Sequence, residues 1–567
     1  MRRETMRPMP ELSFRTRAAS ALPTLSLSVE AVLLLTSVFW VAVVNRLFFN
    51  AALADRAWGD PSAWGFGAAL AVALVALHFV LMAPFANRWT VKPLLGLLLL
   101  CTGFAAHFMQ QFSVYLDPTM LRNVLHTDPG EAKELFSASM AWHLLGYAVL
   151  PLLLLWRTRI VLRPWKRALW IRLAAIVAAI VVALGALLAV SQPFSSMMRA
   201  HKEMRYLITP ANYLWSLVSV VRSETQDAAK PRQAIGTDAA KGPSWSGPRA
   251  AKPSLLVVVV GETARAANWG LNPGARNTTP ELAKLPVINF PTVKSCGTNT
   301  ETSLPCMFAP VGRRDYDEAR IRGSESLLHV LARAGVAVTW RDNQSGCKGV
   351  CEGLPQTSVA TSNPPAGQCD GERCLDEGLL NGLADRLSTA QGAQVLVLHQ
   401  LGNHGPSYFR RYPQAFERFT PACRNDDLRQ CSTDEIKNAY DNALGYTDHV
   451  IAQLIAQLQA KSASVDSAVI YVSDHGESLG ENNLFLHGLP YAIAPDLQTH
   501  VPMTMWFSEG FATDTGLDTA CLKRRAAEPA AHDHLFHTVL GLMDVRTSVY
   551  EADWDLSRGC RAAGAAQ

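Results

Sequence analysis

Hydrophobic positions are spread unevenly along the chain. Before residue 191 they form long, nearly unbroken windows at 25–47, 64–85, 91–112, 140–156 and 168–190. Each is close to the length needed to cross a hydrocarbon core of about 30 Å, with 140–156 the shortest, so five transmembrane helices are expected over 1–190. A cleaved signal peptide is the competing reading of the first window. That window shows no clear small-residue cleavage site, and Phe39-Trp40 and Asn45-Arg46 follow instead. From 191 to 222 the pattern becomes mixed. Met197, Met198, Tyr206, Leu207, Ile208, Tyr213 and Trp215 alternate with Arg199, His201, Lys202 and Arg205. This predicts one or two amphipathic helices lying at a membrane surface, broken at Pro210. The loop 115–137 is expected at the same interface. Residues 224–253, rich in Ala, Lys, Gly, Pro and Ser, read as a flexible linker, so 191–253 joins interfacial helices to a tether.

After residue 253 the apolar runs shorten. Those at 255–260, 336–340, 394–398 and 468–472 are strand-length, and helical patterns at 325–334 and 434–459 fall between them. Continuous apolar strands alternating with helices predict a parallel sheet covered on both faces, an α/β/α domain over 254–567. A chain of 567 residues is in any case too long for one core.

Charge and cysteine usage orient this arrangement. The N-terminal tail (Arg2, Arg3, Arg7, Arg15, Arg17), the second loop (Arg88, Lys92) and the fourth (Arg157, Arg159, Arg163, Lys166, Arg167, Arg172) hold 13 of the 52 basic residues. They lie on alternate sides of the spans, which predicts an N-terminus in the cytoplasm and an exported C-terminal domain. Those segments contain only Glu4 and Glu11 of the 48 acidic residues, leaving 39 basic against 46 acidic elsewhere. The exported part is therefore no polybasic nucleic-acid binder. Cys101 lies in a predicted span, and the other ten cysteines follow residue 290. Short-spaced pairs suggest disulfides in an oxidising compartment, simplest as 296–306, 347–351, 369–374, 423–431 and 521–560. A zinc ribbon competes, but the chain has no Cys-x-x-Cys pair.

Candidate chemistry collects at the strand ends. Glu262 follows the first strand, His404 the third, and Asp474-His475 the fourth, and a parallel sheet brings such ends to one edge. Two carboxylates and an imidazole form a zinc-suited set with positions left open. The segment 295–306 is a hydroxyl-rich loop between cysteines, where a hydroxyl beside a metal would serve as a nucleophile. His404 and His487 are candidates for acid–base work or a second metal, whereas His399, still on its strand, reads as core.

The strings GETAR, SCGTNTETSLPCMF, WRDNQSGCKGVC, HQLGNHGPSYFRRYP, AYDNAL and YVSDHGESLGEN resemble those of the lipid A phosphoethanolamine transferases, a family that includes the mobile colistin-resistance enzymes. The resemblance spans nearly the whole chain. It implies five spans, an interfacial connector and an exported alkaline-phosphatase or sulfatase-like domain. It implies Thr300, not Thr298, as the nucleophile, and Glu262, Thr300, Asp474 and His475 as ligands of one tightly bound zinc. His404 and His487 match histidines that bind phosphoethanolamine or a further zinc. Lys348 matches a substrate-contacting lysine, and Glu477 an acid supporting Asp474 and His475 from behind. Gln344 stands where the colistin-resistance enzymes carry an Asn that contacts the head group. Phosphatidylethanolamine as donor, lipid A as acceptor, a monomer and the inner membrane of a Gram-negative cell follow from the same resemblance. Core or Kdo sugars are the alternative acceptors. A lipoteichoic acid synthase lacks these strings, and a sulfatase would need a Cys or Ser in a CxPxR-like string that is not visible near Thr300. A receptor or transporter is disfavoured because the spans hold few ionisable groups.

Overall fold

The computed structural model describes residues 25–562, apart from 58, 128, 229–230, 247–251, 363 and 372. The five N-terminal arginines lie outside the described residues. The helices of the membrane part include α1 (Val29–Val44), α2 (Arg46–Ala52), α3 (Pro61–Met82), α4 (Val91–Phe112), the short α5 (Pro118–Leu125), α6 (Ala138–Arg157) and α7 (Trp165–Ala189), with one further turn of helix at Pro129–Glu134. Four of these helices are long and apolar enough to cross a membrane, and α1–α2 makes a fifth if the bent pair is one span. The first window is not one straight helix. It bends by 60° at Asn45, whose side-chain amide donates to Trp40 O (3.0 Å) and Thr209 O (2.8 Å) and accepts from Thr209 N–H (2.7 Å). A side chain that bonds both to its own helix and to a neighbouring segment is a local cause of a kink. In α7 no residue is buried, and Leu184 and Leu188 are 56% and 71% exposed. So large an apolar exterior suits lipid and not water.

Helices α8 (Ser191–Ala200) and α9 (Ala211–Ala228) follow, with the break at Pro210 as the sequence predicts. The expected linker differs from prediction. Helix α9 continues past residue 224, and residues 233–246 are strapped to the C-terminal domain. Gln233 pairs with the 323–325 segment, Ala240–Lys241 forms a small antiparallel ladder with Val545–Arg546, and Trp245 Nε1–H donates to Met543 O at 2.7 Å. Ile235 and Trp245, isolated among small residues, supply apolar contacts too dispersed to read as periodicity.

The C-terminal domain is built on an eight-stranded sheet. Its strands are β1 (Ser254–Gly261), β2 (Ile288–Lys294), β3 (Ala337–Asp342), β4 (Gln356–Ser358), β5 (Ala393–His399), β6 (Asp466–Ser473), β7 (His500–Phe507) and β8 (Ala530–Ala531). The order is β8-β2-β7-β6-β1-β5-β3-β4, with β7 antiparallel to both neighbours and every other pairing parallel. Alternate residues of β1 enter different cores: Leu256, Val258 and Val260 on one face, Leu255, Val257 and Val259 on the other. Burial on both sides explains why β1 and β6 read as unbroken apolar runs. The second face is closed by α11 (Thr433–Ala460), started by a reciprocal cap between Ser432 and Glu435. A shorter helix, α10 (Thr300–Met307), lies on the other side and carries the Cys296–Cys306 segment. All five disulfides join cysteines in the sequential order expected, and Cys101 is free.

Candidate active site

Strand register assembles the site. Gly261 pairs with Ser473, and Val260 pairs with both Val472 and His399, so the three strands finish level. Asp474 N–H donates to Gly261 O at 2.9 Å, placing Glu262 and Asp474 side by side. The loop after β5 folds onto Glu262 through Gly402 (φ +52°), where an added Cβ would lie 2.8 Å from Glu262 O, and Asn403 N–H donates to that oxygen at 3.0 Å. Tyr440 of α11, wholly buried, accepts from Arg265 N–H (2.9 Å) and donates to Thr263 O (2.7 Å), locking the turn after Glu262.

Thr300 does not sit in a loop. It is the first residue of α10, and Asn299 caps the helix by accepting from Thr302 N–H at 2.9 Å. Pro305 cannot donate to Glu301 O inside this helix, and Arg322 donates to that carbonyl instead. Thr300 Oγ1 stands 3.1 and 3.3 Å from the two Glu262 oxygens and 3.4 Å from His475 Nε2. A helix N-terminus favours negative charge on that oxygen and on a phosphoryl group attached to it. Thr298 is committed elsewhere, donating to Leu489 O at 2.7 Å.

The donor atoms of Glu262, Asp474 and His475 all lie within 4.8 Å of one another in a buried cluster. His475 Nδ1 lies 2.9 Å from Gly476 O, which can only accept, so Nε2 carries the lone pair of the neutral ring. That nitrogen lies 3.3 Å from Asp474 Oδ2 and 3.4 Å from Glu262 Oε1. Asp474 Oδ2 is buried without a hydrogen bond. Acceptors facing one another in this way need a proton or a cation between them. Ligands at about 2.1 Å from one tetrahedral centre are about 3.4 Å apart, so the spacing and donor types fit zinc.

Electrostatics point the same way. Burial alone would lower the basicity of His475, but the facing Asp474 and Glu262 carboxylates raise its pKa to about 10. Burial and the Glu262 charge push Asp474 up. Burial would raise Glu262, but the facing His475, with His404 and His487 farther off, holds it low.

The other expected residues divide. The His404 and His487 rings are 5.6 Å apart, and His487 is 4.4 Å from His475, so both flank the cluster. Gln344 Nε2–H donates to Glu262 Oε2 at 3.3 Å, which brings it to the site edge. Glu477 is fully buried but stands 3.3 Å from His487 Nδ1, and so backs His487 instead of the Asp474–His475 pair it was expected to support. Lys348 lines an adjoining cavity of about 690 Å³ together with Arg122, His126 and Arg322, and its charge acts on Glu301, the residue after Thr300. His399 is core as expected, its Nδ1 2.8 Å from Asp342 Oδ1.

Two positioning residues escaped sequence reasoning. His532 accepts from Cys296 N–H (3.0 Å) through Nδ1 and reaches Ser473 O (2.9 Å) through Nε2, while burial lowers its pKa to about 4. Ser303 donates to Asp474 O at 2.5 Å. His532 lies in none of the family-like strings, and Ser303, although inside SCGTNTETSLPCMF, reads there only as part of a hydroxyl-rich loop.

The membrane part also holds this site. Glu134 forms a buried, two-pronged ion pair with Arg411, whose Nε–H donates to His404 O at 2.7 Å. His126 of the α5 end lies 3.0 Å from Glu301, the residue after Thr300. Gln111 Nε2–H donates to Asp427 at 2.9 Å. Truncating Arg411 to Ala strands the Glu134 carboxylate and frees His404. The expected outcome is a loss of about 3 kcal/mol in stability together with a fall in kcat. Glu134→Gln with Arg411→Met should recover part of the stability but not the kcat. Melting curves and initial rates on the full chain check both.

Comparison with known proteins places these features. Residues 254–545 match the family model described as Sulfatase, and residues 74–225 match Phosphoethanolamine transferase EptA/EptB. The chain is 37% identical over 478 residues to phosphoethanolamine transferase EptA of Escherichia coli strain K12, covering 83% of this chain and 86% of that protein. It is 37% identical over 524 residues to phosphatidylethanolamine transferase Mcr-1 of Escherichia coli, covering 90% and 94%. Among solved structures it resembles the integral membrane protein lipooligosaccharide phosphoethanolamine transferase A of Neisseria meningitidis, with a TM-score of 0.89, 37% identity, and coverage of 95% of this chain and 99% of that one.

Proposed function

We propose, from the premise that this chain belongs to the lipid A phosphoethanolamine transferase family and is a phosphoethanolamine transferase, that it moves phosphoethanolamine from phosphatidylethanolamine to a phosphate of lipid A through a phosphothreonine at Thr300. The observation that carries this reading is the Thr300 hydroxyl at a helix N-terminus, 3.1–3.4 Å from Glu262 and His475. The acting form is placed in the inner membrane of a Gram-negative cell with the catalytic domain in the periplasm, as loop charges and disulfides suggest.

Glu262, Asp474, His475 and Thr300 are the residues that would hold zinc. When bound, zinc supplies a Lewis-acid charge that makes the Thr300 hydroxyl more acidic and offsets charge on the phosphoryl oxygens. Thr300 Oγ1 passes its proton to the Glu262 carboxylate to which it donates and attacks phosphorus in line, and the bond from phosphorus to the diacylglycerol oxygen breaks. That oxygen takes a proton from His404 or His487, the histidines flanking the cluster. The N-terminus of α10 favours the charge left on the phosphothreonine. In the second displacement a lipid A phosphate oxygen attacks the same phosphorus, and Thr300 Oγ1 leaves, taking its proton back from Glu262. The product gains an ammonium group, which weakens its attraction for cationic peptides such as polymyxin.

Mass spectrometry of lipid A from cells expressing the chain tests the acceptor. One added phosphoethanolamine on lipid A is expected. Unchanged lipid A with the addition on core or Kdo sugars would replace that acceptor.

Proton competition gives a separate expectation. His475, raised to about 10, keeps a proton at neutral pH until metal displaces it. Affinity for zinc therefore rises with pH between about 6 and 8, with about one proton released per ion, and falls on acidification. Calorimetric zinc titration in buffers of different ionisation enthalpy measures the proton count. Affinity independent of pH over that range would contradict this assignment of donors.

A further inference from the structure

At the end of the helical bundle away from the exported domain, three segments meet around a cavity of about 520 Å³: the start of α1, the α3–α4 turn and the start of α7. It is lined by Arg88, Arg163 and Arg172 against one carboxylate, Glu30. Arg163 and Arg172 both reach Glu30, at 2.9 and 3.5 Å, with the Glu30 side chain only 14% exposed. One glutamate thus holds two guanidinium groups in place without neutralising them. Each guanidinium has five N–H donors, and Arg172 Nε is buried without an acceptor. Arg88 has no carboxylate partner among the described residues; its guanidinium stands 4.9 Å from the Trp89 ring centroid. A site with surplus positive charge and spare forked donors calls for an acceptor-only, negatively charged group, and phosphate meets that description.

Two further features distinguish a lipid from a free anion. Trp89 and Trp165, 75% and 72% exposed, flank the cavity as interfacial anchors do. From Leu169, which lines the cavity, an exposed apolar stripe runs along α7 through Leu173, Val177 and Ile180 at helical spacing. A phosphate in the cavity would have its acyl chains alongside this stripe.

We propose that this cavity binds the phosphate head group of an anionic glycerophospholipid in the leaflet opposite the catalytic domain. Helix α4, 22 residues long, sets the cavity about 33 Å from the periplasmic-side contacts of Gln111. The lipid held there is therefore not the donor in the reaction. It ties α1, the α3–α4 turn and α7 together at the membrane surface, as basic pockets between helices do for anionic lipids.

The test is native mass spectrometry of the full chain, delipidated in a neutral detergent and titrated with phosphatidylglycerol, phosphatidylethanolamine or inorganic phosphate. Arg172→Gln and Arg88→Gln should each weaken phosphatidylglycerol binding about tenfold, the usual scale for losing one charge-assisted hydrogen bond. Phosphatidylethanolamine binding should be the same in both variants as in the unaltered chain, and inorganic phosphate should not displace phosphatidylglycerol. Arg172→Lys should restore part of the loss. Arg88→Gln leaves both Glu30 pairs intact, so an unchanged melting temperature without lipid shows that the fold persists. Phosphatidylglycerol binding by both variants as tight as by the unaltered chain, an equal loss for phosphatidylethanolamine, or displacement by inorganic phosphate would each overturn the proposal.

Discussion

Replacing Thr300 by Ala is expected to abolish transfer, by at least about 10⁴-fold in kcat, as removal of a covalent nucleophile does elsewhere. The side chain is 4% exposed and its hydroxyl forms one wall of the Glu262–His475 cluster. No neighbouring hydroxyl is placed to substitute for it. Thr298 donates to Leu489 O and Ser303 to Asp474 O. Because Thr300 is the first residue of α10 and Asn299 supplies the cap, Thr300→Ala should leave the helix, the Cys296–Cys306 bridge and the melting temperature nearly unchanged. Thr300→Ser keeps the oxygen but frees its rotamer, so a loss within about 10²-fold is expected, the cost of imperfect positioning. Initial rates with a labelled phosphatidylethanolamine measure both variants. Thr300→Ala retaining more than a trace of transfer would remove Thr300 from the nucleophile's role.

The second large effect is expected at Asp474. Asp474→Asn keeps size and shape but removes one of the two carboxylate charges that would hold zinc. Losing several kcal/mol of electrostatic stabilisation should lower kcat by about 10³-fold, with zinc content of the purified protein falling in parallel. Folding should not suffer. Burial and the adjacent Glu262 charge already push the Asp474 carboxyl up, so a neutral amide relieves a cost of burying that charge. The metal-free variant should melt no lower than the metal-free unaltered chain. A variant that keeps full zinc content, or loses activity only through unfolding, would contradict this role.

Much of the site was legible because parallel strands end where their apolar runs end. The run 255–260 stops at Glu262 and 468–472 at Asp474-His475, and observed pairing of Gly261 with Ser473 turns those sequence endings into spatial neighbours. Other parts had no comparable signal. Strand β2 carries Pro291 among mixed polar residues, and in β7 Pro502 and Thr504 interrupt the apolar run, so neither reads as the unbroken run of a buried parallel strand. Helix α10 was hidden because its capped, hydroxyl-rich start and internal Pro305 resemble a turn. The Glu134–Arg411 pair joins residues 277 positions apart, and no periodicity carries such a partnership. Lys348 was placed by resemblance alone, and the fold sets it in the neighbouring cavity beside Arg322, close enough for its charge to act on Glu301. Glu477 was likewise placed by resemblance, and the turn after β6 directs it toward His487.

The central claim is a covalent phosphothreonine at Thr300. The direct measurement incubates the purified full chain with phosphatidylethanolamine, withholds lipid A, and maps the protein by peptide mass spectrometry. The account predicts one phosphoethanolamine on Thr300, removed when lipid A is supplied and never present in Thr300→Ala. Transfer to lipid A proceeding with no modified Thr300, or the modification found on another residue, would contradict it.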